Sequence, residues 1–573
     1  MNGFADRLSQ AAFTAGMRFT DWHLWGPFQR ALADPAAAQA SVLARILGAN
    51  AETAFGRHHR FDRIQGPADY RRAVPVADYE SFRPLIMRQA ETGEPALTTA
   101  PPVFYARTSG TTGEAKLVPV TGAGMHGLAT AQRLFACAQY RYADSFAGRV
   151  FAIAGAAVED RTQRGVPIGS ATGAVYAAMP SPVRRRYIVP AELFGVDDYD
   201  LRDYVLAFLG LAARDVSCMA TANPSTFIRL LEVVRGNWDA LLDDLKSGHV
   251  RGSENLNPQQ REALQARIQA DPVRARELRR LAVGPGLSFA SIWPELRSVV
   301  TWTGGSCGYA LGALLPQLPP QIRVIEAGYQ ASECRGTVNI DPLRNICAPA
   351  LTATFFEFVE REKWEAGGGE FLRIEELEEG RMYHVFVTTL DGLYRYDMKD
   401  IVRVTGRLDA TPCLEFVQKG RGYTNITGEK LSETQAIASV GRAASAHGLT
   451  APFFLLAADE ANAVYRLFLE LGEARAAPSI GAAVDRTLME MNIEYSAKRR
   501  GGRLGALACV VLRPGTGAAY RRHCVRRGQR DAQFKIQHLQ YARNLEFDLA
   551  KYTVRVPGQT VRPATRFDRR GLV

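Results

Sequence analysis

Apolar residues recur at helical spacing across residues 36–48, with Val42, Leu43, Ile46 and Leu47 on one side and Asp34-Pro35 at the start, so a helix is expected there. Periodic segments at 201–213 and 225–234 predict two more, the second opened by Asn223-Pro224-Ser225. Continuous apolar runs read as buried strands at Val150–Ala154, Ser298–Thr303 and Ile322–Ala327. A helix from about Ala310 to Leu315 is expected after Gly304-Gly305. Shorter strands are expected at Val103–Tyr105 and Leu117–Val120.

From about residue 351 the texture changes. Short strands are predicted in succession at Ala353–Phe358, Arg381–Thr389, Asp400–Thr405 and Cys413–Val417, with Asp391-Gly392 as a hairpin signal between two of them. After Gly428 helix and strand mix again, with a strand over Ala461–Glu470 and a helix over 480–491. The expected fold class is α/β: a large N-terminal domain with mixed sheets and a β-rich section, then a small α+β C-terminal domain. At 573 residues the chain exceeds what one core supports. The expected division is 1–426 and 427–573.

Apolar content of 47% and charged content of 23% are those of an ordinary globular chain, and no apolar stretch is long enough to span a bilayer. No secretory leader is read at the N-terminus, where Asp6 and Arg7 come early. The eight cysteines are scattered and none forms C-x-x-C, which disfavours a disulfide framework or a structural zinc site and fits reduced thiols in a cytoplasm. The net charge is +11, with arginine clusters at 184–186, at Lys498-Arg499-Arg500 and at Arg521-Arg522 with Arg526-Arg527. Such a balance suits nucleotides or nucleic acid, or simply a solvated basic face; with no nucleic-acid-binding motif beside the clusters, no nucleic-acid partner is expected.

The chemistry concentrates first at residues 108–116. Thr108-Ser109-Gly110-Thr111-Thr112-Gly113 places four hydroxyls and two glycines in six residues, and Lys116 follows. Glycines admit close backbone approach, successive N–H groups form an anion nest, and the hydroxyls and lysine add donors and charge. The run reads as a polyphosphate grip at a hairpin tip or as a plain polar turn; its spacing is not that of the P-loop.

Three further segments can join it. In Tyr329-Gln330-Ala331-Ser332-Glu333 the ring could stack on a base and the carboxylate hold Mg²⁺ between phosphates, or the ring could be core and the acid solvated. In Tyr394–Asp400 the last carboxylate stands where a ribose diol is commonly held. Gly428-Glu429-Lys430 falls at the texture change, where a lysine reaches a site in one domain orientation only. Gly304-Gly305-Ser306-Cys307-Gly308 fits the G-x-S-x-G nucleophile elbow, but His384, His447, His523 and His538 carry no signature of a partner, so a serine hydrolase is a minor reading.

The order and content of these segments resemble the adenylate-forming superfamily, and more closely the auxin-responsive acyl-acid amido synthetases and their bacterial relatives. The closer resemblance rests on Thr53-Ala54-Phe55-Gly56-Arg57, Val74-Pro75-Val76 with Tyr79, Ala222-Asn223-Pro224-Ser225, Phe356-Glu357-Phe358, Gly392-Leu393-Tyr394-Arg395-Tyr396, Gly428–Glu433, Asn492-Ile493-Glu494-Tyr495 with Lys498-Arg499, and Gln533-Phe534-Lys535. It implies an ATP- and Mg²⁺-dependent ligase that adenylates a small carboxylic acid and passes the acyl group to an amino acid or other amine, with a C-terminal domain that moves between the two half-reactions.

It further implies that Ser109, Gly110, Thr111, Thr112 and Lys116 grip phosphate. Tyr329 and Ser332 line the adenine pocket, Glu333 is the Mg²⁺-associated acid, and Asp400 binds ribose. Lys430 and Lys535 are the catalytic lysines of the C-terminal domain, and Arg133 faces the acyl carboxylate. Two departures stand out: Lys399 where relatives usually have glycine, and Cys334-Arg335 between Glu333 and Gly336. The alternatives are a thiol acceptor, coenzyme A or a carrier arm, and a non-catalytic nucleic-acid- or partner-binding protein.

Overall fold

The computed structural model describes residues 2–108, 116–281, 287–304, 306–420, 423–424, 426–427, 429, 431–449, 451–471, 477–527 and 534–554. The chain forms two compact units, one of residues 1–303 with 314–416 and one of 304–313 with 417–573. No helix among the described residues is long and apolar enough to cross a membrane.

The first unit is built on three four-stranded sheets. In one, Arg149–Ile153, Val216–Thr221, Ser298–Thr301 and Arg323–Glu326 lie side by side in chain order and all parallel. Such strands need crossover connections, and long apolar helices supply them: Tyr199–Ala212 buries nearly its whole length and Ser225–Gly236 buries Phe227, Leu230, Leu231 and Val234. A second sheet centres on the antiparallel pair Pro102–Thr108 and Lys116–Thr121, joined in parallel to Pro167–Gly169. The third runs Thr354–Glu360, Met382–Thr389, Tyr396–Leu408 and Thr411–Lys419 in chain order.

Packing explains several of the sequence patterns. Asp34 caps the helix Pro35–Ala49 by accepting from the Ala37 N–H, as Asp-Pro at that place predicts. Phe55 stacks on Tyr394 at 4.7 Å, and the Tyr394 hydroxyl donates to Leu97 O. Glu357, buried on the third sheet, takes Arg395 Nε and Arg71 Nε, each at 2.8 Å. The Asp391-Gly392 turn does more than reverse the chain. The Asp391 carboxylate is buried and accepts from the N–H and hydroxyl of Thr121, the N-cap of the long helix Gly122–Tyr142. Burial pushes this carboxyl up to about 6.

The second unit carries an antiparallel pair, Phe454–Asp459 with Val464–Glu470, flanked by parallel neighbours Leu539–Tyr541 and Ala508–Leu512. The helices Glu433–Ala446 and Ala477–Met491 belong to the same unit. The strand expected from Ala461 begins at Val464: Asp459 accepts from the Asn462 N–H and Ala463 turns left-handed, so 460–462 is a helical turn closing the hairpin. The helix expected from Ala310 begins at Ser306, and the strand expected over Asp400–Thr405 extends over Tyr396–Leu408.

Candidate functional site

Tyr329 follows the last parallel strand at its carboxyl end, the edge of an α/β sheet where ligands are commonly held. Gly328 at φ +85° opens the turn, and the Tyr329 backbone is held on both sides: its N–H donates to Thr337 Oγ1 and its carbonyl accepts from the Gly336 and Thr337 N–H groups. The preceding Glu326 carboxylate takes the N–H groups of Thr303 and Gly328 at 2.7 and 2.9 Å, and burial raises its pKa. Trp302 Nε1 donates to Gly328 O. The turn is therefore fixed before any ligand arrives.

The Tyr329 ring is 6% exposed and stacks on Phe416 with centroids 5.7 Å apart. Its hydroxyl donates to Asp400 Oδ2 at 2.7 Å, and Asp400 is itself only 2% exposed. Burial, then the charge of Asp400, drives the Tyr329 phenol well above its usual range, so it stays a donor at any working pH. Glu333 is half-buried and accepts from the Tyr396 hydroxyl at 3.3 Å. Tyr396 opens the strand that carries Asp400, which ties the two acids to one element. Ser332, next to Glu333 in the chain, is half-buried.

Lys116 is the first residue of the returning hairpin strand and the register partner of Thr108. Its ammonium lies 5.0 Å from the centroid of the buried Tyr79 ring. The Tyr79 hydroxyl donates to Leu117 O and accepts from the Leu117 N–H at 2.8 Å, and the Glu333 charge acts on the same phenol. Three contacts of the first unit make up the candidate set: Lys116 with Tyr79, Glu333 with Tyr396, and Tyr329 with Asp400, the last two sharing the strand Tyr396–Leu408. Ser109, Gly110, Thr111 and Thr112 lie outside the described residues. Arg133 is exposed on the helix Gly122–Tyr142, and no hydrogen bond or ion pair among the described residues joins it to the set.

In the second unit Lys430 lies outside the described residues, while Glu429 before it is fully buried. The Glu429 carboxylate collects the N–H groups of Ile426 and Thr427 and the Tyr465 hydroxyl; burial opposes its charge, but these donors outweigh it and hold its pKa below the ordinary range. Lys535 is exposed, and its charge acts on Glu433, whose carboxyl burial pushes up to about 7. Tyr79, Tyr396 and Phe416 were not singled out by site chemistry from the sequence. Tyr79 and Tyr396 stood in the resembling stretches, and nothing in the sequence marked Phe416.

Residues 26–314 match the GH3 family N-terminal domain, 347–419 the GH3 family central domain and 434–544 the GH3 family C-terminal domain.

This chain belongs to the GH3 family.

Its relatives include the indole-3-acetic acid-amido synthetase GH3.8 of Oryza sativa subsp. indica, 27% identical over 543 residues and covering 87% of each chain. Another is the indole-3-acetic acid-amido synthetase GH3.4 of Arabidopsis thaliana, 25% identical over 88% of this chain and 89% of that one. Among solved structures, a GH3.15 acyl acid amido synthetase superposes with a TM-score of 0.80 at 21% identity, over 92% of this chain and 95% of that one. A 2-hydroxyisobutyryl-CoA ligase holding 2-HIB-AMP follows at TM-score 0.54 and 12% identity, over 90% of this chain and 92% of that one, a likeness of fold.

Two departures of this GH3 protein have structural accounts. Lys399 adopts φ +53°, the left-handed region that glycine enters freely, and its ammonium pairs with Asp78 Oδ2 at 2.9 Å. Arg335 is buried: Nε donates to Thr337 O and a terminal nitrogen to Ala327 O, so it braces the Tyr329 turn, and burial lowers its pKa to about 10. A Cβ at Gly336 would overlap the Tyr329 ring, which explains a glycine after the Cys334-Arg335 pair.

The elbow reading gains no support from His384. That ring is buried without a hydrogen-bond partner on either nitrogen, and burial lowers its pKa. The basic clusters are partly consumed inside the fold, with Arg499 paired to Asp485 and Arg521 buried over Phe534.

Proposed function

We propose that this GH3 protein activates a small carboxylic acid with ATP and transfers the acyl group to the amine of an amino acid, releasing pyrophosphate and then AMP. What carries the reading is the Tyr329–Asp400 contact at 2.7 Å, with Glu333 bonded to Tyr396 on the same strand as Asp400. Asp400 is assigned to the ribose diol, with the Tyr329 hydroxyl orienting its carboxylate. The amido-synthetase names of its relatives give the reaction class.

In the first half-reaction an oxygen of the acid's carboxylate attacks the α-phosphorus of ATP and the bond to pyrophosphate breaks. Negative charge grows on the phosphate oxygens, and the hydroxyl-rich run 109–112 with Lys116 is assigned to neutralise it. Asp400 holds the ribose, while Tyr329 and Ser332 bound the adenine. Glu333 suits Mg²⁺: it is half-buried and bonded to Tyr396, and one carboxylate plus phosphate oxygens is a usual donor set for that ion. Bound there, the ion supplies further charge neutralisation.

In the second half-reaction the amine attacks the acyl carbon, a proton leaves the nitrogen, and the bond to AMP breaks. Lys430 and Lys535 are assigned to the nucleotide by resemblance, and Arg133 to the acyl carboxylate.

The test is carboxylate-dependent exchange of pyrophosphate into ATP across a panel of acids, followed by AMP release with amino acids and with thiols. Exchange with amine-dependent AMP release supports the reading. Exchange with thiol-dependent release alone moves the chain to thioester formation, and no exchange with any acid overturns it.

A further inference from the structure

Lys399 occupies a strained backbone position and spends its side chain on one partner. The residue stands at φ +53°, its N–H donates to Asp397 Oδ1 at 2.8 Å, and its ammonium reaches Asp78 Oδ2 at 2.9 Å. Asp78 is at the N-cap position of the helix Tyr79–Thr92; its Oδ1 accepts from the Ser81 hydroxyl of the first turn at 3.4 Å, and its Oδ2 takes Lys399. Lys399 accordingly holds the Asp78 carboxyl below its ordinary range.

The two segments also meet through the backbone. The Ala77 N–H donates to Arg395 O at 3.2 Å, and the Asp397 N–H donates to Ala77 O at 2.9 Å. The next residue after Asp78 is Tyr79, whose hydroxyl bonds both backbone groups of Leu117 and whose ring underlies the Lys116 ammonium. The residue after Lys399 is Asp400.

We propose that the Lys399–Asp78 pair is a positioning device that couples the Asp400 strand to the strand pair Pro102–Thr108 and Lys116–Thr121, so that Asp400 and Lys116 are held in fixed register. The proposal rests on the nucleotide reading above. Both partners are about a third exposed, at 30% and 38% of their side chains. Exposed pairs add little to stability, so the effect falls on geometry rather than on folding.

The experiment compares the parent with Asp78→Asn, Lys399→Met, the double variant, Lys399→Gly and Lys399→Arg. Without ligand, amide exchange is followed at 116–118 and 397–401. With ligand, KM for ATP and KM for the acid are measured separately. The single variants are expected to speed exchange of the Leu117 amide and to raise the ATP KM about three- to tenfold, with the acid KM within about twofold. The double variant should be no worse than the worse single, Lys399→Gly should behave as Lys399→Met although its backbone is relieved, and Lys399→Arg should restore the parent. Unchanged Leu117 exchange, or additive losses in the double variant, overturns the coupling. A parent with no acid-dependent exchange of pyrophosphate refutes the nucleotide reading alone, because amide exchange still decides whether the tether exists.

Discussion

Replacing Asp400 with alanine removes the carboxylate on which the nucleotide assignment turns. The side chain is 2% exposed and receives the Tyr329 hydroxyl at 2.7 Å. A hydrogen bond to a charged acceptor contributes ~1.5–3 kcal/mol, and a ribose diol makes two. After allowance for water entering the vacated space, a loss of ~3–4 kcal/mol is expected, which is ~10²–10³ in kcat/KM for ATP. Tyr329→Phe keeps the ring on Phe416 and removes only the fixed donor to the carboxylate, so ~1.5–3 kcal/mol, about ten- to a hundredfold, is the upper bound expected. The assay is acid-dependent exchange of labelled pyrophosphate at varied ATP, with thermal unfolding as the folding control. A folded Asp400→Ala protein with exchange within about threefold of the parent would refute the assignment.

Lys116→Ala should lower exchange by about one to three orders of magnitude if its ammonium neutralises charge forming on the phosphates; the same assay checks this, and full activity contradicts it. Glu357→Ala should strand the buried Arg395 guanidinium and cost ~3–5 kcal/mol, read as a lower denaturation midpoint in urea. Glu433 and His538 should show opposite pH linkage. Glu433 is raised to about 7 from 4.5, so the stability it adds is complete below pH 4.5 and is lost as pH rises to about 7. His538 is lowered to about 4 from 6.5, so the stability it adds is complete above pH 6.5 and is lost as pH falls to about 4. Between pH 4.5 and 6.5 the two slopes cancel in the parent. Relative to the parent, unfolding free energy should slope upward with pH there in Glu433→Gln and downward in His538→Asn, since the other shifted groups are common to all three; parallel profiles in both variants would contradict this.

Much of the fold was legible because burial leaves periodic traces. The helices at Pro35–Ala49, Tyr199–Ala212 and Ser225–Gly236, and the parallel strands at Arg149–Ile153, Ser298–Thr301 and Arg323–Glu326, were marked by apolar runs of the right length and by Asp-Pro or Asn-Pro at two starts. The start of the 306–314 helix was hidden because Ser306 and Cys307 follow glycines and carry no cap signature. The extension of the strand back to Tyr396 was hidden by left-handed Lys399 within it, a conformation no pattern announces.

The candidate site was legible as segments and not as a set of contacts. Tyr329 and Asp400 are 71 positions apart, and only folding reveals the bond between them. Some resembling stretches turn out to be packing: Phe55 lies on Tyr394, and Glu357 takes Arg395. Their side chains hold the sheet from which Asp400 projects rather than meeting a substrate.

The most direct measurement is a crystal structure of the protein with a non-hydrolysable acyl-adenylate analogue. The account predicts the ribose hydroxyls within hydrogen-bond distance of Asp400 and the phosphate group on the Lys116 side, near Glu333. An analogue bound in the first unit with its ribose away from Asp400, or its phosphate away from the 109–116 segment, would contradict it.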